Sequence, residues 1–362
     1  MRKKPIFKKA GAFFSCLAVF GAIFAVIATV PMTMWQDLGK RAALLSVGMY
    51  RPTDSIQLIG QWAAHRSPGP TQTQSSSTTA SLGSGVRQPL TTATTLTPVR
   101  KEGGGTVLTK QFTTGNTVVQ GVAYKNNTKR EVDIAAALQR KPAFSFSQTS
   151  PAPQVLIVHT HTTECYLSYD TGFYNADDPT RTDDASKNMV AVGKRVAREL
   201  QAVGIGVIHD TEIHDREYSK AYGHSKKAVE KWLKQHPTIR VVLDIHRDAI
   251  YPSDTQRIKP TVEIAGKKAA QVMIIVGMMN TKAVPNPHTE ENLAFGVRLQ
   301  KRLHTDYAGL MRPMVLADAR YNQQLCNGML LLEVGSDVNT LSEAEYAAEL
   351  VGKGLGAVLR GL

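Results

Sequence analysis

Sulfur is scarce in this chain. Its 362 residues hold three cysteines, Cys16, Cys165 and Cys326, too few for a four-thiolate zinc site and no basis for a disulfide framework, so free thiols are expected. Acidic residues are also in short supply: 30 Asp and Glu stand against 43 Lys and Arg, a formal charge of +13. That balance suits an anionic surface such as nucleic acid, acidic lipid or wall polymer, and does not choose among them. A third absence is local. From Ala10 to Trp35 no residue is charged, a run longer than the roughly 7–15 apolar residues of a signal peptide. At about 1.5 Å rise per residue it crosses a ~30 Å hydrocarbon core.

What precedes that run orients it. The segment RKKPIFKK at 2–9 carries five Lys or Arg and is expected to stay cytoplasmic, leaving the rest of the chain outside as a single-pass membrane protein. Nucleic acid is therefore not an expected partner. A cleaved signal peptide, using small residues near Ala25 and Ala28, is the alternative reading of this end. The domain expectations follow in order: 1–35, basic tail and transmembrane anchor; 36–66, a juxtamembrane segment; 67–105, a disordered linker rich in Ser, Thr, Gly, Pro and Gln. In 106–150, TVLTKQF and TVVQGVAY alternate like strands and Glu131–Gln139 reads as a helix, giving a small β-rich subdomain. Residues 151–362 are expected to form one larger domain, the one that carries the chemistry.

After Pro153 strands alternate with helices, which predicts a mixed, largely parallel α/β sheet with helices on both faces. Strands are read at Val155–Val158, from Gly206, at Arg240–His246, Val272–Val276 and Met329–Gly335. Helices are read at Ser186–Val203, ended by Gly204 as a left-handed cap, and at Ser225–His236, Glu290–His304 and Ser342–Leu359. Three of these strands end in chemistry. Val155–Val158 runs into His159-Thr160-His161-Thr162-Thr163-Glu164, LDIHRDA ends in His246, and LLEVG ends in Glu333. Parallel strands put their carboxyl ends on one sheet edge, where ligands bind. Two histidines and a carboxylate with an open fourth position is the ligand set of a catalytic Zn²⁺. The plain alternative is that each histidine caps a strand or bonds within a loop.

The stretches VLIVHTHTTECY, HDTEIHDREYSKAYGHS, VVLDIHRDA and YNQQLCNGMLLLEVGSDVNTL, in that order over roughly residues 106–360, resemble the stage II sporulation protein P family of endospore-forming bacteria. The resemblance implies an amidase-like catalytic domain, related to zinc-dependent N-acetylmuramoyl-L-alanine amidases, on a membrane-anchored protein that degrades peptidoglycan during forespore engulfment. It implies cleavage of the bond between muramic acid and L-alanine, endopeptidase action on stem-peptide cross-links, and partnership with the stage II sporulation protein D lytic transglycosylase and other engulfment proteins. A catalytically inactive wall-binding scaffold that recruits other hydrolases is the alternative.

Carried over by position, His161 is the first zinc ligand and His246 the third. Asp184, before the first long helix, stands where the amidases have a ligating glutamate, and Glu164 competes with it. Glu333 corresponds to the catalytic glutamate that takes a proton from water and returns one to the departing amine. His159 is expected as a supporting or structural neighbour. His209 and His214 are expected to line the peptide cleft or orient ligands, and Arg247 to grip a stem-peptide carboxylate or pair with Asp244 or Asp248.

Overall fold

Along the strand Val155–Val158 all four side chains are buried, and they part by turns. Val155 and Ile157 join the larger apolar core, whereas Leu156 and Val158 join a second cluster on the other face. A strand enclosed on both faces reads as an unbroken apolar run, which is why it was legible. The computed structural model of the protein describes residues 98–361 apart from 114–116 and 148–149. The expected anchor, juxtamembrane segment and most of the linker lie outside the described residues, within which no helix is long and apolar enough to cross a membrane.

In chain order the elements are β1 (Gly105–Lys110), β2 (Thr117–Val119), β3 (Val122–Asn126), α1 (Ile134–Gln139), β4 (Val155–Val158), β5 (Phe173–Tyr174), α2 (Met189–Ala202), β6 (Val207–His209), α3 (Ala221–Gln235), β7 (Val241–Asp248), β8 (Gln256–Ile264), β9 (Lys267–Ala270), β10 (Val272–Gly277), α4 (Thr289–Asp306), β11 (Met314–Ala317), β12 (Met329–Ser336) and α5 (Leu341–Arg360). The main sheet has eight strands in the order β2-β3-β11-β10-β12-β7-β4-β6. It is parallel except where β12 meets β10 and β2 meets β3. Helices α1, α2, α4 and α5 cover one face, and α3 packs Val229 on the other. The expected α/β architecture is thus present, with helices on both faces.

Local chemistry sets the helix ends. Asn188 caps α2 by accepting from Val190 N at 3.0 Å, and Gly204, just past its end, has φ of +82°, the left-handed conformation the sequence pattern asked for. Thr340 and Glu343 form a reciprocal capping box at the start of α5. Cys165 and Cys326 are free thiols, as expected.

A second sheet, β5-β1-β8-β9, was not foreseen. The strands of 106–150 are set into both sheets: β1 runs parallel to β8, and β3 parallel to β11. Sequence reading passed over β8 because Lys259 and Pro260 interrupt its apolar alternation. Lys259 is nonetheless 2% exposed, with Nζ 2.9 Å from Glu343 Oε1 and 2.6 Å from Asp170 Oδ1. Lys259→Met would leave Glu343 buried without its cation. Breaking such a pair costs about 3–5 kcal/mol, so the urea midpoint of the variant should fall accordingly. An unchanged midpoint would show that Glu343 does not depend on this lysine.

Candidate functional site

Strand parity selects the site. On β7, Val241, Leu243 and Ile245 enter the larger core, so Asp244 and His246 project from the opposite face, the one covered by α3. On β12, Leu330, Leu332 and Val334 enter the larger core, leaving Leu331 and Glu333 on the α3 side. The two strands are parallel, with Leu331 beside Asp244 and Glu333 beside His246. The third contribution comes from the turn after β4. His161 lies with its ring centroid 5.3 Å from that of His246, the planes 87° apart. Glu164, one turn on, brings Oε2 to 3.9 Å from His246 Nδ1 and accepts from Arg247 N at 3.3 Å.

Each imidazole is held differently. His246 Nε2 stands 2.9 Å from Asp244 Oδ1 as an ionic contact whose angle falls outside hydrogen-bond geometry. Asp244 is itself fixed, accepting from Thr160 N at 2.8 Å and from the Thr160 hydroxyl at 2.6 Å. Burial opposes charge on His246, but Asp244, Glu333 and Glu164 prevail and raise it to about 9. His161 stays neutral, lowered to about 4 chiefly by burial, and its Nδ1 is enclosed without a hydrogen-bond partner. Its ring stacks on Tyr218 at 4.7 Å, and the Arg181 guanidinium covers the same tyrosine at 4.9 Å. Tyr222 meets His161 edge-on at 5.8 Å.

The carboxylates diverge as well. Burial would raise Glu164, but Arg247, His161, His246 and Arg181 hold it below the usual range. Glu333 goes the other way, to about 8, through burial and then the neighbouring Asp248 and Glu164. Its Oε2 is enclosed and has no hydrogen-bond partner. Two carboxylates pushed apart in this way suit different roles, one ligating and one exchanging protons.

Other sequence candidates lie elsewhere. Asp184 has a side chain 42% exposed. It accepts from Ser186 Oγ at 2.6 Å and Ser186 N at 3.0 Å, and pairs with Lys187 at 3.0 Å, which together hold it at about 2. It shapes the turn into α2, whereas Glu164 faces His246. His209 was expected to line the cleft or orient ligands, and His159 to be a supporting or structural neighbour. His159 Nδ1 donates to Ile245 O at 2.9 Å, so its Nε2 accepts from His209 Nε2 at 2.8 Å. Burial lowers His159 to about 3 and His209 to about 4. The pair fits under α2 where Gly193 leaves room, since a Cβ there would come within 2.6 Å of both rings. It is an interior polar pair on the sheet face away from His246.

Arg247 does not wait for a substrate carboxylate. It is 7% exposed and donates to Cys165 O at 2.9 Å, Thr180 O at 2.7 Å and Asp248 O at 3.3 Å, tying down the 165–180 loop. Nor does it pair with a neighbouring aspartate side chain: Asp248 pairs with Arg312 at 2.8 Å, and Asp244 serves His246. His214, 2% exposed, lies in the floor of a separate cavity. Sequence reasoning gave no separate role to Tyr218, Tyr222 or Arg181, and offered Asp244 only as a partner for Arg247. Asp244 was within reach, two residues before His246 and so on the same strand face. Arg181, paired with Asp215, gave no signal at all.

The donor set suits a zinc ion. Two imidazoles on one tetrahedral zinc, with Zn–N of about 2.0–2.1 Å, have centroids roughly 5 Å apart, close to the 5.3 Å between His161 and His246. The orphaned His161 Nδ1 and Glu333 Oε2 are the buried polar atoms such an ion and its substrate would satisfy. Among the described residues, however, no group of three His, Cys, Asp or Glu side chains is placed so as to hold a metal ion.

Comparison with known proteins places this chain. It is 29% identical over 239 residues to stage II sporulation protein P of Bacillus subtilis (strain 168), a match covering 61% of this chain and 56% of that protein. The match thus spans little more than half the relative's length. Among solved structures it resembles an N-acetylmuramyl-L-alanine amidase of Mycobacterium smegmatis, with 11% identity, 59% of this chain and 100% of the other covered, and a TM-score of 0.34. It also resembles an N-acetylmuramoyl-L-alanine amidase of Nostoc punctiforme, with 10% identity, coverage of 57% and 97%, and a TM-score of 0.37. The profile of the stage II sporulation protein P family matches residues 98–355, and this chain belongs to that family.

Proposed function

We propose that this chain is a membrane-anchored, zinc-dependent peptidoglycan hydrolase of sporulation. It acts during engulfment of the forespore, cleaving the N-acetylmuramoyl-L-alanine amide bond and stem-peptide cross-links, alongside a stage II sporulation protein D-type lytic transglycosylase. The observation that carries this reading is the convergence of His161, Glu164, His246 and Glu333 at one sheet edge, with buried donor atoms left unpartnered. His161, His246 and Glu164 would hold the ion, and Asp184 is set aside because its carboxylate is engaged by Ser186 and Lys187. Zinc supplies Lewis-acid chemistry there, polarising the scissile carbonyl and making water more acidic.

The chain's own groups do the rest. Asp244 at Nε2 fixes the His246 ring so that Nδ1 looks toward Glu164, the orienting carboxylate that metal-binding histidines commonly have. Arg247 N and the Arg181 guanidinium keep Glu164 ionised and aimed. Glu333 takes the proton of the attacking water and returns it to the departing amine. Its raised affinity for protons matches that exchange near neutral pH. Tyr218 and Tyr222 wall off His161, excluding water from one side of the centre.

Two tests follow. Glu333→Gln should bind zinc like the parent chain yet release muropeptides from purified wall about 10²–10⁴-fold more slowly, the span a positioned acid–base group contributes. Full digestion by this variant would remove the proton shuttle from the mechanism. In the second, Glu164→Ala and Asp184→Ala are compared after chelation and titration with zinc. Glu164→Ala should lose zinc at least tenfold more readily, while Asp184→Ala should keep metal and activity. The reverse ranking would make Asp184 the ligand.

A further inference from the structure

The loop that presents Asp215 to Arg181 borders a second feature, a cavity of about 560 Å³ between residues 212–216 and α3. Its polar lining is Glu212, His214, Arg216, His224, Lys227 and Lys231. His224, Lys227 and Lys231 recur at helical spacing, so they share one face of α3. At about 1.5 Å per residue that row extends roughly 10 Å along the helix.

Charge in the cavity is one-sided. Three cations line it against the single Glu212. Asp210, which faces His214, is already engaged by Trp232 Nε1 at 2.9 Å and Glu212 N at 2.9 Å. Arg216 pairs with Asp183 at 3.0 Å, but both side chains are more than 60% exposed, so that bridge is weak and readily exchanged. In the floor, His214 is 2% exposed, and its Nε2, 3.7 Å from Asp210 Oδ2, has no hydrogen-bond partner. His224 Nδ1 donates to His214 O at 3.0 Å, leaving its Nε2 for another partner.

We infer that this cavity binds the phosphodiester groups of a polyol-phosphate polymer. Lysines spaced along one helix face act as point charges for a flexible chain of singly charged phosphates, and the 10 Å row admits more than one such group. The loop is tied to the turn that carries His161, since His214 N donates to Thr162 Oγ1 at 3.2 Å. A polymer held here therefore lies beside the reaction centre without entering it. The choice of a wall-type polymer over nucleic acid rests on the outward-facing hydrolase reading above.

The test measures binding of fluorescent poly(glycerol phosphate) to the full chain. The double variant Lys227→Gln/Lys231→Gln is compared with a control of equal charge loss, Lys282→Gln/Lys301→Gln. The α3 pair should weaken binding at least tenfold and flatten the slope of log affinity against log salt by about 1–2, as expected for two lost phosphate contacts. The control pair should change affinity less than twofold. All four lysines are exposed, so folding is preserved and is checked by the thermal midpoint. Unchanged binding by the α3 pair, an equal loss in the control, or equal or tighter binding of poly-glutamate or an oligonucleotide would overturn the inference. Muropeptide release from polymer-free wall is measured in parallel. Its absence in the parent chain, with polymer binding intact, would count against the hydrolase reading and leave the anion site standing.

Discussion

The parallel register of β7 and β12 is the constraint on which the rest depends. It sets Glu333 beside His246 and Leu331 beside Asp244, and it does so because alternate residues of both strands are committed to the larger core. A slip of one residue would turn His246 and Glu333 into the layer of α2, α4 and α5 and expose Ile245 and Val334 to the cleft. The apolar halves of these strands thus specify the position of the polar halves. The site's geometry is a consequence of packing on the other side of the sheet.

Around that register the protein sorts its charges. Glu164 is held ionised by Arg247, His161, His246 and Arg181, while Glu333 is driven toward its protonated form by burial, Asp248 and Glu164. Arg247 also clamps the loop that follows Glu164 through two backbone carbonyls, Cys165 O and Thr180 O, so one buried guanidinium both neutralises and positions. The His159–His209 pair, although one residue from Thr160, is insulated beneath α2 and stays neutral. Neighbouring histidines in HTHTTE consequently serve opposite faces of the sheet.

Much of this was readable. The β4, β7 and β12 runs announced themselves because strands buried on both faces are continuously apolar, and His161, His246 and Glu333 fall at their carboxyl ends. The turn after α2 was readable from Gly204. The second sheet was not, because β8 carries Lys259 and Pro260, and only its distant partners Glu343 and Asp170 make a buried lysine tolerable. The choice between Glu164 and Asp184 was open for the same reason. Proximity to a helix start gave Asp184 its claim, whereas the folded chain engages it locally with Ser186 and Lys187. Arg247 misled because a buried arginine and a substrate clamp look alike until its donors are counted.

The three proposed ligands come from two separate segments, so their meeting at one ion is the central claim. Zinc K-edge absorption spectroscopy of the full chain tests it most directly, read against the same chain carrying His246→Ala. The expected result is one zinc per chain with two imidazole nitrogens and light oxygen scatterers, and loss of one imidazole in the variant. A sulfur scatterer from Cys165, which adjoins Glu164, or a chain that takes up no zinc, would contradict it.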